Sequence, residues 1–299
     1  NNRDLCIVAG GYHGRKPFDR VPLADGCGEV VALGSSVTSV AIGDRVSAPH
    51  FIPWLSGPFV PGSFDEDLGS TRDGWAATHI RLPAAALVSV PDNLTDVEAA
   101  VMPAAGLTAW HALHNFGLLT ADCSVLLLGT GGVSLFGLQI ARLAGARTIV
   151  TSTSEEKLER ARMLGADAAI LAPQDADWSV DVMRATDGRG VDIVLETIGY
   201  STLGRSISAC APNGRIALIG ALGGVDRSPD ISRMIAKGAT IKGIASGSRD
   251  MLSALFTHFS SHGARPAVDA VFDFDSLPLA YEALSAGGHI GKIAIAHAS

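Results

Sequence analysis

Apolar positions between residues 123 and 246 fall into short unbroken runs separated by segments of helical spacing. The runs at 124–128, 148–151, 168–171, 192–195, 215–219 and 240–244 have strand length and few polar interruptions, as strands buried on both faces do. Between them, residues 135–143, 155–164, 178–185, 202–210 and 229–236 repeat apolar side chains with a helical period. Thr153 and Glu156 have capping-box spacing, and Ser228 precedes a proline at a first helical position. Six strands alternating with helices predict an α/β domain with a doubly wound parallel sheet.

The first strand runs straight into Gly129-Thr130-Gly131-Gly132-Val133-Ser134 and then into a helix. That is nearly the G-x-G-x-x-G pattern of a Rossmann domain, with Ser134 at the third glycine position. Glycine lets a ligand approach the backbone, and the new helix turns its unpaired N–H groups and positive dipole end toward the gap. A pyrophosphate suits that gap. In such sheets ligands lie beyond the carboxyl ends of the strands. Here those ends are rich in small residues, at 129–132, 151–154, 196–199 and 220–224.

Residues 1–103 read as short strands broken by Gly and Pro: 23–33, the turn and strand at Gly43-Asp44-Arg45-Val46, 75–82 and 86–90, with a loop at 49–62. They predict a small β-rich domain, partly barrel-like. Thr95 and Glu98 open a helix with a capping box, Pro103 interrupts it, and 105–116 resumes it. His111 and His114 sit three apart on that helix. With no third ligand nearby in sequence they read as helix surface. After residue 247, a helix at 251–259 capped by Ser248, a strand at 270–274, a helix at 279–285 and a last strand do not extend the alternation. They are assigned to the first domain. The expected division is therefore 1–104 with 247–299, and 105–246.

Composition narrows the function. Of 299 residues, 47% are hydrophobic and 18% charged, enough for two cores. The net charge of −7 disfavours a nucleic-acid surface, and no apolar run approaches a membrane span. The four cysteines, Cys6, Cys27, Cys123 and Cys210, lie far apart, which fits a reduced cytoplasmic setting without disulfides or a zinc lobe. No signal peptide is read, and the first residue is Asn1, not methionine.

Several stretches together resemble the medium-chain dehydrogenase/reductase family. They are Gly43-Asp44-Arg45-Val46, Pro103-Ala104-Ala105-Gly106-Leu107-Thr108-Ala109-Trp110, Gly129-Thr130-Gly131-Gly132-Val133, Glu156-Lys157-Leu158, Leu164-Gly165-Ala166-Asp167 and Gly288-His289-Ile290-Gly291-Lys292. The resemblance covers nearly the whole chain in the family's order. It implies a GroES-like catalytic domain split around a Rossmann domain, an active site in the cleft, and a homodimer. It also implies that the catalytic domain's usual opening strands are absent from this sequence.

By the same resemblance, the family's catalytic zinc ligands, Cys, His and Cys, correspond to Asn1, Ala24 and Ala104. These residues point to the zinc-free branch, with no metal site, which holds quinone oxidoreductases and proteins called zinc-independent alcohol dehydrogenases. Asn1 and Asp4 match that branch's N-x-x-D motif and, with Thr108, are the expected catalytic residues. Expected cofactor contacts are Thr108, Gly129, Thr130, Gly131, Gly132, Val133, Ser152, Ser154, Lys157, Gly199, Gly220, Ala221, Leu222, Ala245, Ser246, Gly247 and Lys292. Tyr12, His50, Phe51 and Trp54 are candidates for the substrate pocket, Tyr12 also as a proton donor.

An NAD-preferring domain ends its second strand with an acid that binds the adenosine ribose. Here that position is Ser152, flanked by Thr153 and Ser154, with Lys157 one turn on. NADP is therefore expected over NAD, although Glu155 and Glu156 stand nearby. The expected reaction is hydride transfer to a quinone or a conjugated enone or carbonyl. An alcohol dehydrogenase or carbonyl reductase of the same fold, and a non-catalytic dinucleotide-binding protein, are the alternatives. A small-molecule substrate is expected, without nucleic acid or membrane.

Overall fold

In the computed structural model, which describes residues 1–11, 20–174, 176–220 and 230–297, two compact units share the chain. One comprises Asn1–Leu107 and Ser246–Ser299, the other Thr108–Ala245.

The first unit opens with a helix, Asn2–Val8 (α1), which buries Asp4 and Ile7. Three very short strands follow, Cys27–Glu29 (β1), Arg45–Ser47 (β2) and Val88–Ser89 (β3), paired antiparallel in the order β1-β2-β3. The strand expected over 23–33 shrinks to β1. Leu23 takes a left-handed φ of 73°, and Val31 and Leu33 past the strand are exposed. The strand expected over 75–82 does not form. The N–H groups of Trp75 and Ala76 donate to the carbonyls of Leu23 and Pro22, so this segment pairs with an irregular stretch and not with a ladder.

Helix Asp96–Ala100 (α2) carries the full capping box of Thr95 and Glu98. At Pro103, which lacks an N–H, the chain widens into a π turn, Met102–Gly106, before the short helix Leu107–Trp110 (α3). A second π turn, His111–Phe116, buries His111, while His114 stacks on Trp110 with ring centroids 4.0 Å apart. The expectation of a helix surface is thus corrected for His111. The unexpected π geometry turns it inward.

The second unit is built on strands Ser124–Leu128 (β4), Arg147–Ser152 (β5), Ala168–Leu171 (β6), Val191–Glu196 (β7), Cys210–Leu218 (β8) and Thr240–Gly243 (β9). Helices Gly132–Leu143 (α4), Glu155–Met163 (α5), Ser179–Ala185 (α6), Tyr200–Ala209 (α7) and Ser232–Lys237 (α8) connect them. All pairings are parallel, and the order is β6-β5-β4-β7-β8-β9. This is the doubly wound Rossmann sheet, and its order reverses between β4 and β7.

All five residues of β4 are buried. Leu126 and Leu128 pack with Ile149, Trp178, Val182, Leu203 and Ile207 on one face. At about 1.5–3 kcal/mol for each large aliphatic side chain buried, this layer is a main driving force of the unit. On α4, a Cβ at Gly137 would lie 2.7 Å from Leu127 and 2.8 Å from Leu195, so the close approach of helix to sheet falls there and not at Ser134. Helix α5 starts at Glu155, as its spacing suggests, but its cap is not the expected one. Ser154, not Thr153, is its cap, because the Ser154 N–H donates to Ser152 Oγ while Ser154 Oγ accepts from Lys157 N. The expected cap at Ser228 and Pro229 lies outside the described residues.

The chain returns to the first unit with Arg249–Ser261 (α9), Val268–Asp273 (β10), Leu277–Ala286 (α10) and Lys292–Ala296 (β11). Strands β10 and β11 pair in parallel. No helix among the described residues is long and apolar enough to cross a membrane.

Candidate dinucleotide seat and active site

The crevice at the strand-order reversal is framed by the ends of β4 and β7. Gly131 caps α4 with no side-chain hydrogen bond, so the first N–H groups of that helix are left to a ligand. Its φ of −76° and ψ of 179° suit any residue, and a Cβ there would meet no atom of the chain within 4 Å. Neither backbone nor packing calls for glycine at this position. The open space over a helix N-terminus does, and it fits a pyrophosphate. Gly129, at φ 75°, leaves similar open space. Ser134 is buried and donates to the Leu128 carbonyl at 2.6 Å, so the serine in the third glycine position fastens α4 to β4. Thr130 is buried, while Gly132 and Val133 begin α4.

The ends of β5 and β7 lie on either side of the end of β4. At the end of β5, Ser152 is buried and no acid stands in its place. Ser154 is occupied as the α5 cap, and Lys157 lies in that helix's first turn. At the end of β7 sits Glu196, which sequence reasoning did not single out. Its carboxylate is fully buried and accepts from Ile198 N, Gly199 N and Thr202 Oγ1 at 3.0, 3.0 and 2.8 Å, and from Ser206 Oγ at 2.5 Å. Burial pushes this carboxyl above its usual range, and the four hydrogen bonds oppose that shift. Gly199 and Gly220 lie in the turns that follow β7 and β8, and Ala245 ends the unit. Ala221 and Leu222 lie outside the described residues. Thr108, 7% exposed, opens the second unit.

In the first unit the structure brings Asn1, Asp4 and Lys292 together and adds Asp25. Gly291, at φ 82°, makes a turn that no side chain could share, since a Cβ there would lie 2.4 Å from the Ala267 carbonyl oxygen. That turn delivers Lys292. Its ammonium donates to Asp25 Oδ2 at 2.7 Å and to the side-chain oxygen Oδ1 of Asn1, with both ionic side chains over nine-tenths buried. Asn1 Nδ2 donates in turn to Asp4 and Asp25, each at 3.0 Å. Burial raises the Asp4 carboxyl, while the Arg3 guanidinium and the Asn1 amide, which both donate to it, lower it. Ser246, buried at φ 57°, and Gly247, packed against Leu107 and Met251, belong to this same unit.

The pocket residues expected from the sequence fare differently. His50, Phe51 and Trp54 are 2%, 1% and 0% exposed and pack the unit's interior. His50 Nδ1 pairs with Asp67 Oδ1 at 2.7 Å, and Asp67 also takes Arg3 at 2.6 Å. Phe51 and Trp54 stack edge-on with Phe64 and Phe59. Burying these rings gains more than exposing them to a pocket. Tyr12 lies outside the described residues.

Comparison with known proteins places this geometry. The alcohol dehydrogenase GroES-like domain model matches residues 1–92, and the zinc-binding dehydrogenase model matches 132–261. A zinc-type alcohol dehydrogenase-like protein of Schizosaccharomyces pombe is 38% identical over 303 residues, covering 99% of this chain and 87% of its own length. The chain belongs to the medium-chain dehydrogenase/reductase family. A crystal structure from Sinorhizobium meliloti 1021, provisionally named an alcohol dehydrogenase, matches with 40% identity and a TM-score of 0.92 over 99% of this chain and 87% of that one. The structure of an NAD-dependent alcohol dehydrogenase matches with 31% identity and a TM-score of 0.84 over 98% and 87%. This member of the family is an oxidoreductase of the alcohol-dehydrogenase type.

The family's zinc does not fit the residues this member offers. Ala24 and Ala104 are buried methyl groups without a donor atom. The third residue, Asn1, has its oxygen taken by the Lys292 ammonium and its nitrogen by two carboxylates. A tetrahedral zinc needs three or four such donors free. Among the described residues no group of three or more His, Cys, Asp or Glu is placed to hold a metal.

Proposed function

We propose that this chain is an NADP(H)-dependent oxidoreductase that works without zinc and passes hydride to a quinone or a conjugated enone or carbonyl. The observation that carries the reading is the donor set at the zinc position: two methyl groups and an amide already clamped by Lys292 and two carboxylates. Without a Lewis acid to polarise an isolated carbonyl, an acceptor that spreads its developing charge by conjugation is the better match. A bound nicotinamide supplies the hydride. The chain's own part is to seat the pyrophosphate at Gly131 and the N-terminus of α4, and the adenosine ribose at Ser152. The Thr108 hydroxyl is offered as a hydrogen bond to the developing oxyanion. The Asn1–Asp25–Lys292 cluster acts by holding its unit rigid: the Lys292 ammonium, both polar atoms of the Asn1 amide and Asp25 Oδ2 are paired with one another, and Asp25 Oδ1 is buried without a partner.

Purified protein is expected to contain no stoichiometric zinc by elemental mass spectrometry. One tightly bound zinc per chain, required for turnover, overturns the reading. The names of the alcohol-dehydrogenase relatives favour a second reading, alcohol oxidation or carbonyl reduction. Steady-state assays with quinones, enones and simple alcohols, each with NADPH and NADH, separate the two. Turnover confined to alcohols and simple ketones sinks the first.

Cofactor choice is tested at Ser152. Ser152→Asp places a carboxylate where a 2′-phosphate would sit. Two like charges about 4 Å apart near a surface repel by roughly 4 kcal/mol. NADPH affinity is expected to fall by about tenfold or more, while NADH, whose ribose hydroxyls can pair with the new acid, holds or gains. Wild-type protein that binds NADH at least as tightly as NADPH contradicts the NADP assignment.

A further inference from the structure

Glu196 ends β7, directly across the reversal point from the glycine turn that ends β4. Both of its polar faces are at work. The side chain gathers Ile198 N, Gly199 N and Thr202 Oγ1 onto Oε1 and Ser206 Oγ onto Oε2. Its main-chain carbonyl accepts from Ile219 N and Gly220 N at 2.9 and 3.0 Å, which draws in the turn after β8. The two turns touch so closely that a Cβ on Gly220 would lie 1.9 Å from the Thr197 carbonyl oxygen. Thr197 in turn donates its hydroxyl to the Leu128 carbonyl at 2.6 Å, the same oxygen that receives Ser134. Residues 196 and 197 thus tie three strand ends together: the Glu196 carboxylate holds the turn after β7, its main-chain carbonyl holds the turn after β8, and the Thr197 hydroxyl holds the end of β4.

Such an arrangement exceeds the needs of a sheet. No cation pairs with Glu196 among the described residues, and every donor to it is neutral, so an acid is a costly choice for a purely structural peg. A carboxylate has the acceptor capacity to hold two consecutive N–H groups and two hydroxyls at once, and that capacity is spent on the turn 197–199. In a doubly wound sheet the half that begins with β4 takes one nucleotide and the half that begins with β7 takes the other. With the adenosine ribose assigned to the end of β5, the turn held by Glu196 faces the nicotinamide half.

We propose that Glu196 is a positioning residue for the nicotinamide half of the dinucleotide seat. Its carboxylate fixes the 197–199 turn, against which the 219–220 turn packs, without itself touching the cofactor. This rests on the dinucleotide reading above. It requires that loosening Glu196 weakens the whole dinucleotide and spares its adenosine half.

The experiment titrates NADPH and adenosine 2′,5′-bisphosphate, with NADH and AMP in parallel, into wild type, Glu196→Ala, Glu196→Gln and Thr202→Val. Folding is checked by circular dichroism and melting. Glu196→Ala is expected to weaken the dinucleotide by about tenfold or more, the scale of lost charge-assisted hydrogen bonds, with the adenosine half within about twofold of wild type. Glu196→Gln is expected to restore binding to within about threefold, since its amide oxygen can accept the three Oε1 bonds and its NH2 can donate to a rotated Ser206 hydroxyl. Thr202→Val, which removes one donor at constant volume, is expected to lose about threefold. If Glu196→Ala does not fold, Thr202→Val decides by the same ratio. Folded variants that bind both ligands like wild type, or lose both equally, overturn the proposal. Wild type that binds none of the four ligands overturns instead the dinucleotide reading beneath it.

Discussion

Gly131→Val is expected to weaken dinucleotide binding by about 100-fold or more while the protein melts close to wild type. The two halves of that expectation have separate causes. Gly131 has φ −76° and ψ 179°, which valine adopts without strain, and a Cβ there points into space free of protein atoms. Substitutions at such open positions usually change stability by no more than about 0.5 kcal/mol. The same branched side chain, however, would fill the space over the first N–H groups of α4. Two hydrogen bonds to a charged phosphate lost, at about 1.5–3 kcal/mol each, give the expected loss in affinity. Gly137→Val, six residues further along and inside α4, is the control. Its Cβ would meet Leu127 and Leu195 below 3 Å, so it is expected to lower stability by about 1–3 kcal/mol through overpacking. Isothermal titration and thermal melting on both variants check the contrast. Gly131→Val with unchanged dinucleotide affinity rejects the placement of the pyrophosphate.

The same contrast shows which parts of this molecule could be read from the chain. Strands β4 and β6 were legible to the residue, because each is a dense apolar run, β4 stopped by Gly129 and β6 opened by Asp167 and stopped short of Pro173. The glycine turn was legible because a ligand seat on a helix N-terminus needs glycine at fixed offsets. Short strands of the first unit were not. There the backbone pairs over two or three residues at a time, and an apolar stretch such as 75–82 satisfies its N–H groups on an irregular neighbour instead. Residues that act through burial were also missed. Asp25 and Glu196 are single acids next to apolar neighbours and have no periodic partner in sequence. The available signal was weak but physical. An acid at the end of Asp192-Ile193-Val194-Leu195-Glu196, where the strand is wholly buried, has to find several donors in the turns beyond it. His50, Phe51 and Trp54 show what residue type alone leaves out, since the structure buries all three. Chemically versatile side chains in a loop suggest a pocket, yet their area is worth more inside the unit.

Asp25→Ala is expected to be the most destabilising single change in the first unit. Lys292 is 7% exposed, and Asp25 is its only counter-charge among the ion pairs of the described residues. Removing Asp25 leaves the ammonium on the neutral oxygen of Asn1 and also strips a partner from Asn1 Nδ2. Breaking one partner of a buried pair costs about 3–5 kcal/mol, because the remaining charge stays desolvated. At roughly 2–4 °C per kcal/mol for a unit of this size, the melting transition of the first unit falls by about 10 °C. The double variant Asp25→Ala with Lys292→Met tests the cause. It removes both charges and keeps most of the lysine's apolar length, so it is expected to recover much of the loss, as buried ion pairs replaced by apolar groups commonly do. Two units make a single two-state analysis unsafe, so the measurement is calorimetry with the two transitions followed separately. A double variant no more stable than Asp25→Ala alone shows that the carboxylate's hydrogen bond to Asn1, not the charge on Lys292, holds this part of the molecule together.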